Sequence, residues 1–359
     1  MKTFVVNPGS TSTKLAVYED LNELGRWSIS HPREELCRFD RIADQLDYRY
    51  ALVLSTLKSA GYGAEDFDCV VSRGGTPPYI RSGATRLGPE LLEVIRTRPK
   101  QEHASNLGPM IAERIVGISG APAFIYDPIT TDEINELARF SGIKDVHRES
   151  MCHVLNTKAM AIETAIDMNR NWHEMSIIVI HIGGGNSVCL WKDGRLYDTI
   201  PADEGTFSAE RCGGIRCEAL IDLIEKRGVD TVKGYLTGKG GAVSHLGTND
   251  LRVVRDMVEA NDSEAVRFCE AMAYGIAKNI GSLAPVVHGK VDAITFTGGG
   301  AYWGSLVGQI TRRIEYLGAP VFIKGGENEM KSLATGAYRV MNGEERVWNY
   351  GEESEVGYD

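Results

Sequence analysis

Two stretches of the chain have the residue types needed to hold a phosphate group. Residues 7–14 (Asn-Pro-Gly-Ser-Thr-Ser-Thr-Lys) and residues 183–186 (Gly-Gly-Gly-Asn) each lie between two apolar runs. This pattern predicts two β-hairpins with small residues at their tips. Because no side chain covers the backbone N–H groups at such a tip, an anion can bind against them. Two matched tips, one in each half of the chain, indicate two related domains that grip one polyphosphate from both sides.

A third glycine turn, Gly298-Gly299-Gly300, follows the strand predicted at 293–297. The common phosphate motifs are absent: 234–240 has the wrong spacing for a P-loop, and no GxGxxG stretch opens a helix before an acidic residue. The predicted nucleotide-binding residues are Asn7, Gly9, Ser10, Thr11, Ser12, Lys14, Gly183, Gly184, Gly185, Asn186, Gly298, Gly299 and Gly300.

Composition limits the function classes. The length of 359 residues is enough for two domains with substantial cores. The net charge of −10 argues against nucleic acid as a partner, because nucleic-acid binders usually carry a basic surface. The seven cysteines are odd in number and show no CxxC spacing, so a reducing cytoplasm is expected rather than a disulfide framework. No apolar run approaches the roughly 20 residues of a membrane span.

The order of the predicted elements indicates an α/β protein. We predict a helix within 39–57, strands at 69–71 and 123–126, a helix at 150–167, a helix at 302–316, a strand at 321–323 and a helix at 327–341. Arg73 and Asp127 follow the strands at 69–71 and 123–126, and ligands bind at the carboxyl ends of strands in open sheets. The predicted domains are 1–149 and 150–342, with the last helix free to pack on the first domain, and 343–359 as an acidic tail.

The three glycine turns, in this order, resemble the actin-like ATPase fold of acetate and sugar kinases, heat-shock ATPases and actin. The resemblance implies two actin-like (ribonuclease H-like) α/β domains with a nucleotide cleft between them. Further motifs are similar to those of butyrate kinases, within the acetokinase family, from residue 3 to about 342. They are 7–14, Glu102 to Gly108, His153 to Ala159, Phe207 to Gly214, Leu246 to Asp250 and Gly325 to Met330.

This resemblance implies that ATP and a short carboxylate give an acyl phosphate and ADP, with Mg²⁺ as cofactor. Because a carboxylate is already ionised, the reaction needs positive charge and positioning rather than a general base. By the resemblance, Arg211 matches the catalytic arginine, with Arg73 as a second candidate. His153 and His181 match histidines near the transferred phosphoryl group, and Glu329 matches a magnesium ligand. Relatives assemble as homodimers or larger homo-oligomers, which we carry over as an expectation.

Several assignments have structural alternatives. Asp127 could orient substrate, orient an arginine or hold metal-bound water, but an Asx-turn before Pro128 explains it equally well. Asn7 could contact phosphate or metal-bound water, whereas Lys14 could simply be solvated. Cys212 and Cys217 flank the Arg211 region and are interpreted as packing residues, since direct phosphoryl transfer needs no thiol.

Other functions remain open at this level. Acetate or propionate kinase is the runner-up, followed by an actin-like ATPase that acts as a switch, chaperone or filament subunit, and by a phosphohydrolase. Departures from the butyrate-kinase pattern occur at 76–79 and 203–206, and at Asn186 and Arg216. They bear on which acid is preferred more than on the chemistry.

Overall fold

The computed structural model describes residues 1–78 and 80–351, which form two compact units. Unit 1 comprises Met1–Glu133 and the chain from Asn328 onward, and unit 2 is the continuous stretch Ile134–Glu327. Each unit contains one β-sheet with helices packed against it, so the predicted α/β class is confirmed. In the described ranges, no helix has the length and apolar character needed to cross a membrane.

The strands are β1 (Lys2–Pro8), β2 (Ser12–Glu19), β3 (Asn22–Ser30), β4 (Cys69–Arg73), β5 (Ala84–Arg86), β6 (Ala123–Tyr126), β7 (Ser176–Ile182), β8 (Asn186–Lys192), β9 (Arg195–Ile200), β10 (Ala293–Gly298), β11 (Val321–Gly325) and β12 (Val347–Trp348). The α-helices are α1 (Arg33–Leu36), α2 (Leu46–Ser59), α3 (Pro89–Thr97), α4 (Leu107–Ser119), α5 (Glu136–Arg139), α6 (Val154–Asp167), α7 (Cys217–Arg227), α8 (Val229–Gly234), α9 (Gly241–Leu246), α10 (Leu251–Glu259), α11 (Ser263–Leu283), α12 (Gly304–Ile314) and α13 (Glu329–Met341).

The two sheets share a common core topology, to which the sheet of unit 1 adds β5 and β12. The order in unit 1 is β12-β5-β6-β4-β1-β2-β3, and the order in unit 2 is β11-β10-β7-β8-β9. In each, a central strand (β1 or β7) forms an antiparallel hairpin on one side and pairs with a parallel strand (β4 or β10) on the other. Both hairpins continue into a third antiparallel strand through a turn with an aspartate at positive φ, Asp20 and Asp193. The sequence repeat is therefore a repeat of structure.

Helices cover both faces of each sheet. In unit 2, Ile178 and Ile180 point toward α11 and α12, whereas Ile177 and Val179 point to the opposite face, where α6 packs. In unit 1, α2 and α4 pack on one side with Phe4 among their neighbours, and α13 packs against β1 and β4. Strands buried on both faces explain why β1 and β7 are continuous apolar runs.

The unit boundaries differ from those expected from sequence. The structure divides the chain after Glu133 rather than after residue 149, because Ile134 and Ala138 are buried with Val154 in the core of unit 2. The helix expected from 150 begins only at Val154. The expected tail at 343–359 contributes β12, where the indole Nε1 of Trp348 donates to the carbonyl of Ser82 at 3.2 Å. Residues 352–359 lie outside the described residues, as does Tyr79.

Candidate active site

The first hairpin tip, between β1 and β2, is a tight turn. Pro8 pairs with Thr13, and the N–H of Gly9 donates to the carbonyl of Ser12 at 2.7 Å. Ser10 and Thr11 are exposed at the tip, with Ser12 half-buried at its end. Lys14 is exposed on β2, past the tip. The tip therefore presents small polar side chains and backbone groups, as the sequence predicted.

A buried arginine braces this tip, and sequence analysis missed it. The guanidinium of Arg49, on α2, donates to the carbonyls of Gly9 at 2.8 Å and Ser10 at 3.2 Å. It also donates from Nε to Oε1 of Gln45 at 3.0 Å, and burial lowers its pKa. Arg49 falls four residues before Val53 on the buried face of the helix, so a charged residue at an apolar position was the available signal.

Asn7, Arg73 and Glu329 form one cluster in unit 1. The carboxylate at the start of α13 accepts a hydrogen bond from Nδ2 of Asn7 at 2.8 Å on one oxygen, and forms an ion pair with Arg73 through the other. The side chains of Arg73 and Glu329 are 23% and 16% exposed, so this pair is only partly screened by water. Three residues predicted from separate parts of the sequence therefore meet at the carboxyl ends of the central strands β1 and β4.

Asp127 is buried rather than presented at the surface. It is 1% exposed and has a positive φ of 42°, which is uncommon for a residue with a side chain. Its Oδ1 accepts from the N–H of Gly83 at 2.6 Å, and its own N–H donates to the Gly83 carbonyl at 3.2 Å. Through these two bonds Asp127 fixes the loop before β5, a contact across 44 positions of the sequence.

The glycine turn of unit 2 joins β7 to β8. Its N-terminal glycine, Gly183, donates from its N–H to Oδ1 of Asn186 at 3.4 Å, and Nδ2 of Asn186 donates to the carbonyl of Phe207 at 3.1 Å. Asn186 therefore has a bracing role here. The third glycine turn lies alongside: Gly298 has φ +81°, and a Cβ there would lie 2.4 Å from the carbonyl oxygen of Ile182. Only glycine allows this close approach of the two turns.

Two histidines stack beside the glycine turn. The rings of His153 and His181 lie 3.9 Å apart at 12°. His153 is centred on a tight turn in which the N–H of Val154 donates to the carbonyl of Cys152 at 2.9 Å, and this turn delays the start of α6. Its Nδ1 lies 2.9 Å from Oγ of Ser187. His181 is the second-to-last residue of β7 and is 1% exposed.

Arg211 lies on a loop that is tied to the same turn. The hydroxyl of Ser208 donates to the carbonyl of Gly184 at 2.6 Å, and the N–H of Glu210 donates to the same oxygen at 2.9 Å. The side chain of Arg211 donates from Nη1 to Oε2 of Glu210 at 3.1 Å. A Cβ at Gly185 would lie 3.6 Å from Cε1 of His153 and 3.8 Å from Cγ of Arg211, so these groups converge on Gly185.

A cavity of about 630 Å³ opens next to Gly183 and Gly184 in unit 2. Gly299, Gly300, Tyr302 and Trp303 form one part of its wall. The remainder comes from 249–252, Arg255 and Glu327. Its aromatic and cationic lining suits a nucleoside with attached phosphates. The lining residues near α10 were not assigned from sequence, although the Leu246 to Asp250 motif lies directly before that helix.

Burial changes the ionisation of groups near these clusters. The pKa of His103 is lowered by burial, with a further contribution from the charge of Arg73, which favours a neutral imidazole. Burial raises the pKa of the Cys212 thiol, which disfavours the thiolate and agrees with its interpretation as a packing residue. The described residues contain no group of three or more His, Cys, Asp or Glu side chains that could hold a metal ion.

The sequence of this chain is similar to those of known kinases. The sequence profile of the Acetokinase family matches residues 146–330. The chain is 38% identical over 353 residues to butyrate kinase 1 of Clostridium acetobutylicum, covering 97% of this chain and 99% of that protein. It is also 38% identical to a probable butyrate kinase of Clostridium botulinum, with the same coverage.

Solved structures agree at the level of the fold. An acetate kinase of Porphyromonas gingivalis superposes with a TM-score of 0.79 at 18% identity, covering 95% of this chain and 99% of that chain. A propionate kinase of Francisella tularensis superposes with a TM-score of 0.73 at 17% identity, covering 93% and 98%. The predicted actin-like ATPase fold is thereby confirmed.

Proposed function

This chain belongs to the acetokinase family, and from that premise we propose that it uses ATP to phosphorylate a short-chain fatty acid, butyrate or a branched relative, to the acyl phosphate. The observation that carries the proposal is the convergence of Arg211, His153 and the glycine turn at Gly185. Cationic and hydrogen-bond-donating side chains beside a glycine turn are what a transferring phosphoryl group requires.

The proposed reaction is a direct in-line transfer. A carboxylate oxygen of the acid forms the new bond to the γ-phosphorus while the bond to the β,γ-bridging oxygen breaks, and that electron pair leaves on ADP. No proton has to be removed, since the acid is ionised at neutral pH. The barrier is the approach of two anions, so we assign Arg211 to offset their charge and His181 to donate a hydrogen bond to a phosphoryl oxygen. The same groups serve the reverse reaction.

The glycine turns take the nucleotide in this proposal. The backbone of Gly183 and Gly184 would contact the phosphates, and the cavity bounded by Gly299, Tyr302 and Trp303 would take the nucleoside. We also propose Ser10, Thr11 and Ser12 as phosphate-binding residues, on the strength of the resemblance to butyrate kinases. We assign Asn186 and Asp127 to keeping these loops in shape, since their side chains bond to the backbone of Phe207 and Gly83.

Asn7 and Glu329 have atoms left that suit a hydrated magnesium ion. Glu329 uses one acceptor position for Asn7 and one for Arg73, and an ionised carboxylate has about four such positions. Asn7 donates through Nδ2, which leaves its Oδ1 to accept from metal-bound water. We propose that these two residues hold Mg²⁺ through water, where it neutralises phosphate charge. Arg73 keeps the carboxylate oriented.

The direct test uses the purified protein with ATP, Mg²⁺, hydroxylamine and a panel of straight and branched C2–C6 acids. We expect acyl hydroxamate with butyrate or a branched C4–C5 acid at the highest kcat/KM. A preference for acetate or propionate would move the chain to the runner-up assignment. ATP hydrolysis that no acid alters, with no hydroxamate from any of them, would reject the kinase proposal and favour an actin-like ATPase or phosphohydrolase.

Two expectations concern the protein as a whole. We propose a cytoplasmic location and a homodimer or larger homo-oligomer, on the strength of the resemblance to family members. Light scattering on the purified protein gives the assembly size directly, and a mass of one chain at micromolar concentration would contradict the second expectation.

A further inference from the structure

The proton on His181 has two possible positions, and they have opposite consequences for phosphate. An imidazole with hydrogen on Nε2 can donate from that nitrogen, whereas one with hydrogen on Nδ1 presents a lone pair there. In this structure Nε2 is the nitrogen on the side of the glycine turn, since a Cβ at Gly183 would lie 2.9 Å from it. A lone pair there would repel a phosphoryl oxygen, so the tautomer matters for the proposed reaction.

Asn156, on α6 and 6% exposed, touches the other nitrogen. Its Nδ2 lies 2.8 Å from Nδ1 of His181 and 3.3 Å from Oγ1 of Thr297. Thr297 in turn lies 3.2 Å from the carbonyl oxygen of Gly326, to which its hydroxyl donates. A carbonyl can only accept, and that of Gly326 is closer to the Thr297 hydroxyl than the alternative acceptor, Oδ1 of Asn156 at 3.5 Å, so we place the single hydroxyl proton on the bond to Gly326. Its oxygen then accepts from Asn156.

This series of hydrogen bonds fixes the orientation of the Asn156 side-chain amide. One hydrogen of the Asn156 amide goes to Thr297 and the other goes to Nδ1 of His181, which must therefore be unprotonated. On the opposite side of the ring, Nε2 is buried and has no hydrogen-bond partner among the described residues, although Oε1 of Glu327 lies 3.0 Å away. His153 is a third neighbour of the ring. It stacks on the face of His181, so it does not hydrogen-bond to either ring nitrogen of His181 in this arrangement.

We propose that Asn156 is a positioning residue that holds His181 in the Nε2–H tautomer, so that the histidine presents a hydrogen-bond donor at the glycine turn. The proposal rests on the proposed function for its catalytic consequence. The tautomer itself is a property of the free protein and is measurable without any turnover.

Two variants of Asn156 separate positioning from packing. Asn156→Ala removes the donor. Asn156→Asp is nearly isosteric, but its carboxylate can only accept, so it favours hydrogen on Nδ1 of His181. The matched control is Thr164→Val, which breaks the buried 2.8 Å hydrogen bond between Thr164 and Thr295 on the same helix and the same strand, away from the histidines.

We expect Asn156→Ala to lower kcat about tenfold and to change the KM for ATP less than threefold, because the ring is no longer held to one tautomer. In Asn156→Asp, activity should fall as pH rises, by about 100-fold overall, comparable to the loss of one preorganised donor. At lower pH the introduced carboxylate would favour a doubly protonated ring, which still donates from Nε2. A merely structural role would give no such change in the pH profile. Thr164→Val should keep the wild-type kcat and pH profile.

The second measurement is NMR of protein labelled with ring-¹⁵N histidine, using a His181→Gln variant to assign its signals. The neutral wild-type ring should show hydrogen on Nε2 and none on Nδ1, and Asn156→Asp should show hydrogen on Nδ1. Hydrogen on Nδ1 in the wild type would overturn the proposal, as would a Thr164→Val loss equal to that of Asn156→Ala. If no acid is phosphorylated, the proposed function fails but the tautomer measurement still decides the role of Asn156.

Discussion

Replacing Arg211 by alanine tests the electrostatic basis of the proposed transfer. The Arg211 side chain is 30% exposed, and its Cγ lies beside Gly185. Two unit charges about 4 Å apart interact by roughly 4 kcal/mol at an effective dielectric constant of about 20. Since about 1.4 kcal/mol corresponds to a factor of ten in rate, this sets an upper value of about 1,000-fold in kcat. Partial exposure and the nearby charge of Glu210 reduce it, so we expect a loss of about 100- to 1,000-fold.

Arg211→Lys should recover part of this loss, because it restores the charge without the planar fork that can hold carboxylate and phosphoryl oxygens together. The matched control is Arg216→Ala: this arginine lies five positions along the same loop, is 74% exposed and pairs with exposed Glu218. Rates are measured as hydroxamate formed per folded molecule. An Arg211→Ala enzyme within tenfold of wild type, or one no slower than Arg216→Ala, would refute the reasoning.

The remaining predictions concern the metal, acid stability and packing. Glu329→Gln should raise the Mg²⁺ concentration for half-maximal activity at least tenfold, because it loses a charge at the proposed metal site; an unchanged magnesium titration would remove that role. Burial and the charge of Arg49 lower the pKa of His31 to about 4, so the unfolded chain binds more protons between about pH 6.5 and pH 4 and stability falls as pH drops. Between pH 7 and pH 4 the free energy of unfolding of wild type should therefore fall by up to about 3 kcal/mol more than that of His31→Gln. Urea denaturation at a series of pH values measures both, and equal losses in the two proteins would contradict this prediction. Gly336→Ala should lower Tm by a few degrees, because its Cβ would lie 2.4 Å from Cζ of Tyr126; a higher Tm would mean that helix propensity outweighs the clash.

Local patterns accounted for the hairpins and most strands. β1, β2, β7 and β8 each combine an apolar run with a small-residue turn, and both signals are short-range. Helix starts were harder, since the turn at His153 depends on the bond from Val154 to Cys152 rather than on a propensity. The unit boundary could not be predicted from the sequence either, because Ile134 belongs to unit 2 through burial against residues distant in sequence.

Candidate site residues could be named from the sequence, but the side chains that contact them could not. Arg211 and the two histidines were assigned by the resemblance to butyrate kinases, and the glycines that follow Arg211 and His181 in the sequence agreed with that assignment. The bracing by Arg49 and the amide of Asn156 could not be read from the sequence, because each depends on side chains brought together by the fold. Asp127 illustrates the opposite case, in which a carboxylate that is prominent in the sequence is buried and accepts a hydrogen bond from the backbone of Gly83.

The interrupted chain path of unit 1 has a consequence for biosynthesis. Its sheet is largely made of the first 133 residues, yet the helix that packs on β1 and β4 begins at Glu329. A ribosome delivers residues in order, so the stretch 134–327 can collapse into its own core while the earlier strands still wait for their last covering helix. We therefore expect the nascent protein to expose one bare sheet face to chaperones until translation is nearly complete.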